Sequence, residues 1–399
     1  MKLLVIAPQN CFPPKDGGKI GIYFPLVEYA KWCTVHYAFT TDVLPDASCT
    51  GHFIALGIHL HPFILNTKDT AVGLVKNIFS TVPFKFQKYF SPTFLTYLQT
   101  LISNEKITHV WINHAHMAEY ALQLKQANAI KIHLREHNIE FSLVEQIIPF
   151  LSGRIKKILA KWQYHKTRKY ETTAWNKFDT VVFISDADKA IARQYYHGTN
   201  TTIIYDSYEQ ISITKGANER QYEPGSFIFT GSVSTIQNAI NLKTFIYEIW
   251  MPLVQANTRY KLYITGNDEL AIKNLLHINL KEHHIFVMGF VDDIVSAIAE
   301  KQFFLSPTYI GAGVRIKVLN AMAMGAVCFI SPKDEAMLDD ICNKKNAFVF
   351  NDIHDFQKMI DVANNPQTYD AISKAAIHLT HQYKYSWSAY SDAVKKLLQ

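Results

Sequence analysis

The stretch GAGVRIKVLNAMAMG, residues Gly311–Gly325, decides the fold. It follows the apolar run Phe303–Pro307, which predicts a short buried strand. Two glycines then free the backbone for a tight turn, and the apolar residues that follow recur at helical spacing, so a helix is predicted over Val314–Gly325. Such a helix start offers unpaired backbone N–H groups, and Arg315 and Lys317 add positive charge beside them. The turn therefore suits a phosphate, although an ordinary strand-to-helix connection has the same pattern.

Short apolar runs alternate with helical stretches through both halves of the chain, which predicts parallel sheets covered by helices. The predicted strands are Leu3–Ala7, Val35–Phe39, Val110–Ile112, Ile130–Leu134, Thr180–Ile184, Ser226–Thr230, Lys261–Thr265, Ile285–Met288, Phe303–Ser306, Ala326–Ile330 and Ala347–Phe350, and the first domain is predicted to close near Ile203–Tyr205. Prolines break the pattern between His52 and Phe90. We predict an α/β protein with two doubly wound, Rossmann-like domains, residues 1–205 and 206–380, joined by a linker near 206–225 and followed by a terminal helical segment, 381–399.

The order of several short motifs resembles glycosyltransferase family 4, whose members have the two-domain GT-B fold. The matching landmarks are Pro13–Gly18, Arg135–Asn138, Ile184–Asp188, Phe229–Ser232 and Gly311–Gly325. The last of these matches the pattern G-x-G-x-[RK]-x-K-x-L-E-A-M-A-x-G except at Asn320, where the family has a glutamate that holds ribose hydroxyls. The resemblance implies domains that face each other across a cleft and a C-terminal helix that crosses back to the first domain.

The same resemblance implies a site for a nucleotide diphosphate sugar donor. Its residues would be Gly17, Gly18, Gly231, Ser232, Gly311, Ala312, Gly313, Val314, Arg315, Lys317 and Asn320. Many family members carry an arginine and a lysine shortly after the glycine that opens the second domain, but residues 231–240 contain neither. Others carry a glutamate at the position of Ala312. Charge compensation of the diphosphate would then come from Arg315 and Lys317.

On the acceptor side the resemblance implies catalytic roles for His137, Glu136 and His116, with His114 as a further candidate. Histidines at strand ends are also common structural residues. Glu136 has an alternative role as an ion-pair partner of Arg135.

Composition fits a folded enzyme, since 48% of the residues are hydrophobic and 19% are charged. No apolar run reaches the about 18 residues that span a bilayer. Five scattered cysteines predict reduced thiols and a cytoplasmic protein. The seven cations between Arg154 and Lys169 are interleaved with apolar residues, which suits an anionic membrane surface, here the inner face, or an ordinary solvated helix. Nucleic acid is a weaker alternative, because no recognition motif accompanies the charge.

Together these features predict a retaining glycosyltransferase that moves a sugar from a nucleotide diphosphate donor to a hydroxyl of a glycan or glycolipid acceptor. No cofactor is expected, and no metal, because no cluster of residues with metal-ligand spacing appears. The alternative is a non-catalytic GT-B protein that binds a partner enzyme or a glycan. Asn320 and the missing cations after Gly231 motivate this alternative.

Overall fold

The structure is a computed structural model that describes residues 1–127, 129–207, 221–337 and 340–399. The chain forms two compact units. We call Met1–Asp206 with Trp387–Gln399 the first domain and Ser207–Ser386 the second domain. Most of the predicted linker, residues 206–225, lies outside the described residues.

The first domain is built on a seven-stranded parallel sheet. Its strands are β1 (Lys2–Ala7), β2 (Thr34–Thr41), β3 (Ile58–Ile64), β4 (His109–Asn113), β5 (Lys131–Glu136), β6 (Thr180–Phe183) and β7 (Thr201–Ile203). They lie in the order β3-β2-β1-β4-β5-β6-β7. The order reverses between β1 and β4, so the connections that follow these two strands run to opposite faces and leave a crevice at the carboxyl edge.

Helices cover both faces of this sheet. They are α1 (Gly17–Ala30), α2 (Ala47–Ala55), α3 (Ala71–Lys76), α4 (Phe84–Gln87), α5 (Pro92–Glu105), α6 (Ala118–Ala127), α7 (Glu140–Ile147), α8 (Arg154–Trp175) and α9 (Asp186–Arg193), with 3-10 turns at Asn77–Phe79, Ala115–Met117 and Ile148–Phe150. Because both faces are covered, β1 and β4 are apolar and buried along nearly their whole length.

The second domain is built on a six-stranded parallel sheet with the same reversal. Its strands are β8 (Glu223–Thr230), β9 (Lys261–Thr265), β10 (Ile285–Gly289), β11 (Lys301–Ser306), β12 (Val327–Ile330) and β13 (Phe348–Val349), in the order β10-β9-β8-β11-β12-β13. Its helices are α10 (Ile236–Phe245), α11 (Met251–Ala256), α12 (Glu269–Leu276), α13 (Ile294–Ala299), α14 (Ile316–Ala323), α15 (Pro332–Glu335), α16 (Ile353–Ala363) and α17 (Pro366–Thr380). A π-helical segment, Ile246–Trp250, joins α10 to α11, and a 3-10 turn at Tyr383–Tyr385 follows α17. The order reverses between β8 and β11.

The last helix, α18 (Trp387–Leu398), packs on the first domain as predicted. The Tyr29 and Tyr390 hydroxyls are hydrogen-bonded at 3.1 Å, and Trp32 Nε1 donates to Ser391 Oγ at 2.8 Å. These contacts anchor α18 to α1 and its flanking turn. They confirm the prediction of two Rossmann-like domains with a C-terminal helix on the first.

Strand β3 was missed from the sequence because Pro62 interrupts its pattern. Proline lacks a backbone donor, but β3 is an edge strand with only β2 as its neighbour, so that donor is not needed on the outer side. The turn-forming run Pro13–Gly18 predicts a loop before a helix that begins near Ile20, and this prediction was wrong for the two glycines. Both glycines lie in the first turn of α1, capped by the Asp16 side chain, and not in a loop before it.

Candidate functional site

Two glycine-containing turns follow the neighbouring strands β8 and β11 of the second domain. A buried asparagine on α10, Asn241, holds the second turn: its Oδ1 accepts from the Tyr309 and Ile310 amides, and its Nδ2 donates to the Ile310 carbonyl, each at 2.9 Å. Since α10 directly follows the first turn, Asn241 couples the two turns. The sequence pattern gave no indication of this role.

The turn after β11 needs its two glycines because of its backbone conformation and the position of the Arg315 side chain. Gly311 has a φ of +154°, and a Cβ added there would lie 1.5 Å from Nη2 of Arg315, so the guanidinium occupies the space that any other side chain would take. Gly313 has a φ of +70°, a conformation that residues with a Cβ rarely adopt. Ala312 is buried and Val314 is half-buried between them. Arg315 then precedes α14, which begins at Ile316, two residues after the predicted start at Val314.

Lys317, in the first turn of α14, is a largely enclosed cation. Its Nζ donates to the Thr230 carbonyl at 3.0 Å and lies 4.6 Å from the centre of the Phe229 ring, both at the carboxyl end of β8. Burial lowers the pKa of this amine to about 8, and the nearby charge of Arg315 adds to the effect. Lys317 is therefore a desolvated amine that an anion would stabilise in its charged form.

A buried carboxylate, Asp334, faces these cations from α15. Its Oδ1 lies 3.6 Å from Nε of Arg315, and this oxygen has no hydrogen-bond partner among the described residues. Burial raises the pKa of Asp334, while Arg315 opposes that rise. Sequence reasoning missed this residue, although its place just after β12 would put it at the same sheet edge as Arg315.

The turn after β8 is held by two asparagine side chains. Asn267 Nδ2 donates to the Gly231 carbonyl at 2.9 Å and its Oδ1 accepts from the Val233 amide at 2.6 Å, while Asn238 Nδ2 donates to the Ser232 carbonyl at 2.9 Å. Gly231 has a φ of +139°, and a Cβ there would lie 2.9 Å from the Asn238 amide nitrogen.

A cavity of about 430 Å³ opens beside this turn, at the carboxyl ends of β8, β9 and β10. Its lining includes Ser232, Asn267 and the largely exposed ring of Phe290. Asn320 is half-buried on the second turn of α14. All the second-domain residues predicted to bind the donor thus lie on the two turns or on α14.

In the first domain, Arg135 organises the carboxyl edge of the sheet. Its buried guanidinium forms an ion pair with Asp206, donates to the Gly21 carbonyl, and lies 5.0 Å from the centre of the Tyr390 ring. A Cβ on Gly21 would come within 3.3 Å of His137, so this glycine permits close packing of α1 against the cluster. Asp206 and Gly21 were not predicted from sequence.

The three predicted histidines lie together at the ends of β4 and β5. His137 stacks on His114 with ring centres 3.8 Å apart, and His114 lies 6.1 Å from His116. His114 has a φ of +69°, a strained backbone that the surrounding packing must maintain. Burial lowers the pKa of His114 to about 3, and burial with nearby positive charge lowers the pKa of His137 well below its usual range. Both rings are therefore neutral at pH 7.

His116 has a carboxylate partner that sequence reasoning missed. Its Nε2 lies 3.4 Å from Oε2 of Glu140, the first residue of α7, and Lys85 Nζ lies 3.8 Å from the same oxygen. Burial alone would raise the pKa of Glu140, but the charge and hydrogen bond of His116 lower it to about 2. The ionised Glu140 can orient the imidazole of His116, as a general acid or base requires.

Glu136 lies on the opposite side of β5 from Arg135, because successive side chains of a strand alternate between faces. It accepts a hydrogen bond from Trp175 Nε1 at 2.7 Å, beneath α8, and burial raises its pKa. The alternative role as an ion-pair partner of Arg135 is wrong, since Arg135 pairs with Asp206. The structure brings His137 and His116 into one cluster with His114, whereas the hydrogen-bond partner of Glu136 is Trp175.

Within the described ranges, no group of three or more His, Cys, Asp or Glu side chains has the arrangement of a metal site. No helix of that part of the chain is long and apolar enough to cross a membrane. Gly17 is exposed and Gly18 is half-buried at the start of α1, near the side chains of Gln9 and Asp16.

Comparison with known proteins agrees with this description. Residues 224–364, most of the second domain, match the family model described as glycosyl transferases group 1. No curated protein matches the chain.

Solved structures share the fold of the whole chain. HepE from Anabaena, described in complex with UDP and glucose, is 12% identical, with a TM-score of 0.68 over 99% of this chain and 98% of its own. Sucrose-phosphate synthase from Thermosynechococcus elongatus is 11% identical, with a TM-score of 0.72 over 100% of this chain and 98% of its own. WaaG, a glycosyltransferase of lipopolysaccharide biosynthesis, is 12% identical, with a TM-score of 0.63 over 98% of this chain and 99% of its own. The chain has the GT-B fold, its second domain matches a group 1 glycosyltransferase, and together these findings support an enzyme of glycosyl transfer.

Proposed function

We propose that this protein is a retaining, metal-independent glycosyltransferase that uses a nucleotide diphosphate sugar as donor and a hydroxyl of a glycan or glycolipid as acceptor. The observation that carries the proposal is the turn Gly311–Arg315 with Lys317 behind it, at the reversal of the second sheet. Ligands of doubly wound sheets bind at this position. The cations there point to an anionic group as the ligand.

The diphosphate would lie against the start of α14, where Arg315 and Lys317 supply fixed positive charge. Breaking the bond between the anomeric carbon and the diphosphate leaves negative charge on the phosphate oxygens. Positive groups held in place before the reaction stabilise that charge without reorganisation, which lowers the barrier. Lys317 is well suited to this role because it is already desolvated and close to the Thr230 carbonyl.

The nucleoside would occupy the cavity beside Ser232, where the exposed Phe290 ring offers a face for a base. HepE, which has the same fold, is described in complex with UDP, so UDP is the first nucleotide to test. Asn320 would face the ribose. Its amide can accept one hydrogen bond but lacks the charge of a glutamate, so donor binding would be weaker than with a carboxylate there.

The acceptor would bind at the carboxyl edge of the first sheet. His116, oriented by Glu140, is the candidate group for contact with the acceptor hydroxyl, and His137 lies in the same cluster. A glycolipid acceptor would place the reaction on the cytoplasmic side of a membrane. Retention of anomeric configuration follows from the family resemblance.

The alternative, a non-catalytic GT-B protein that binds a partner enzyme or glycan, is favoured by Asn320 and by the absence of cations in residues 231–240. A thermal-shift assay with UDP, GDP, ADP and dTDP distinguishes the two. A ligand present at about 100 times its dissociation constant stabilises the folded state by about 2.7 kcal/mol. Stabilisation by one nucleotide supports a donor site, whereas indifference to all four contradicts the proposed transferase.

A further inference from the structure

Two segments of the first domain expose large apolar side chains. Val75, Ile78 and Phe79 project from the end of α3 and the turn after it, and Ile155, Ile158 and Leu159 project from the first turns of α8. Phe79 is 91% exposed, Ile155 75% and Ile158 65%. Large apolar side chains are seldom so exposed in clusters unless the surface meets a partner.

Hydrogen bonds join the two segments into one surface. Lys166 Nζ, in the middle of α8, donates to the Asn77 carbonyl at 2.7 Å, and Gln163 Nε2 donates to Asn77 Oδ1 at 3.0 Å. Asn77 is fully buried beneath the exposed Ile78 and Phe79. On α8, Ile155, Leu159 and Trp162 follow one stripe of the helix towards this junction. We call the six exposed residues and the cations beside them the basic apolar face.

Positive charge predominates around this face, although Lys85 and Lys88 have Glu140 and Asp69 as partners. Residues 146–170 contain seven lysines and arginines and no aspartate or glutamate, and residues 70–104 contain three lysines and no acidic residue. Arg154, Lys156 and Lys161 are exposed on α8, and Lys76 is exposed at the end of α3. The cations thus flank the apolar residues on both segments.

A cavity of about 400 Å³ lies between the two segments. Ile78, Trp162 and Tyr170 line it together with Lys169 and Lys177. Aromatic rings with amines at their edge suit the boundary between lipid headgroups and acyl chains.

We propose that the basic apolar face docks the protein on an anionic lipid bilayer. The apolar tips would enter the outer part of the acyl region while the lysines and arginines meet lipid phosphates. The pattern of exposed Phe and Ile side chains beside clustered cations favours a bilayer over nucleic acid, because apolar tips add nothing to phosphate-backbone binding. Docking does not depend on the proposed transferase activity, so the two proposals can fail separately.

Flotation of the full chain with vesicles tests the proposal. The protein should bind phosphatidylcholine vesicles that contain phosphatidylglycerol and should not bind vesicles of phosphatidylcholine alone. Binding should weaken steeply as salt rises from about 0.1 M to about 1 M, because the Debye length falls from about 10 Å to about 3 Å.

Two variants on the face and two matched controls complete the test. Phe79→Ser should reduce vesicle binding about tenfold, and Lys156→Glu should reduce it about fivefold or more, since each cation near an anionic surface contributes about a fivefold factor. Ile54→Ser, 69% exposed on α2, and Lys358→Glu, exposed on α16, should leave binding unchanged. Thermal unfolding of all four variants checks that each is folded.

Several results would overturn the proposal. If the wild-type chain does not bind anionic vesicles, the basic apolar face has another partner, such as an acidic protein. If the protein binds neutral and anionic vesicles equally, the cations do not contribute to docking. If the two variants on the basic apolar face and the two controls lose vesicle binding equally, this face is not the docking surface.

Discussion

The reversal points of the two sheets have the same topology but opposite electrostatic organisation. In the first domain, Arg135 is paired with Asp206 and His116 with Glu140, so the charges are matched before any ligand arrives. In the second domain, cations gather at the start of α14 around the buried Asp334. The fold supplies the position of a binding site, and the balance of charge at that position decides what it binds.

The largest effect should come from breaking the matched pair of the first domain. Asp206→Asn leaves the buried Arg135 guanidinium without a counter-ion, so the free energy of unfolding should fall by about 3–5 kcal/mol. Asp370→Asn is the control, because the Asp370–Lys374 pair is exposed and such pairs contribute about 0.5 kcal/mol. Chemical denaturation measures both. A similar small loss in the two variants would mean that Arg135 does not depend on Asp206.

The unmatched charge of the second domain should affect binding more than stability. Arg315→Ala should weaken nucleotide diphosphate binding by about 1.5–3 kcal/mol, tenfold or more, because it removes a charged donor from a polyanion. Gly311→Ala should act in the same direction, since the new Cβ would displace the guanidinium. Calorimetric titration with UDP measures both changes. Full affinity in Gly311→Ala would show that the position of the guanidinium over this glycine is unimportant.

The desolvated amine of Lys317 should make nucleotide binding depend on pH. Its pKa is about 8 in the free protein, and a bound diphosphate would raise that value by favouring the charged amine, so a proton is taken up on binding. Affinity should therefore be full below pH 8 and should fall above it, by up to about tenfold per pH unit. Lys317→Arg keeps the charge at every accessible pH and should bind with little pH dependence. A flat wild-type profile between pH 7 and 9 would contradict this role for Lys317.

The smallest expected effect is on stability, and it comes from replacing Gly17 of the first domain, in contrast to Gly311 of the second. Gly17 lies in the first turn of α1 with no atom within 4 Å of an added Cβ, so Gly17→Ala should raise the free energy of unfolding by up to about 0.5 kcal/mol. The substitution that is harmful at Gly311 should thus be harmless to folding at Gly17. Chemical denaturation measures the change, and a loss of stability would contradict the placement of Gly17 in a regular helical turn.

Much of the fold could be predicted from the sequence because parallel strands buried on both faces appear as continuous apolar runs. Strand β9 was predicted with the bounds that the structure has, and helix α18 lies within the predicted terminal helical segment 381–399. The edge strand β3 was missed because only a pattern interrupted by Pro62 marks it. The position of Glu136 could have been predicted, since adjacent residues of a strand face opposite ways.

The partners of the site residues were harder to predict. No motif marks Glu140, Asp206 or Asp334. Each of these carboxylates contacts a residue that lies on a different element of the chain. Only the strand order brings them to the same sheet edge, and that order emerges from the fold as a whole.

The central claim is that the turn before α14 holds the donor diphosphate, and calorimetric titration of UDP into the wild type, Lys317→Ala and Asn320→Glu tests it most directly. We expect Lys317→Ala to bind about tenfold more weakly or worse, because one cation facing the diphosphate is lost. Asn320→Glu should bind as well as the wild type or better, because a carboxylate accepts hydrogen bonds from the ribose hydroxyls while the diphosphate charge stays compensated. Unchanged affinity in Lys317→Ala, with measurable binding by the wild type, would contradict the claim and leave the glycine turn as an ordinary connection between a strand and a helix.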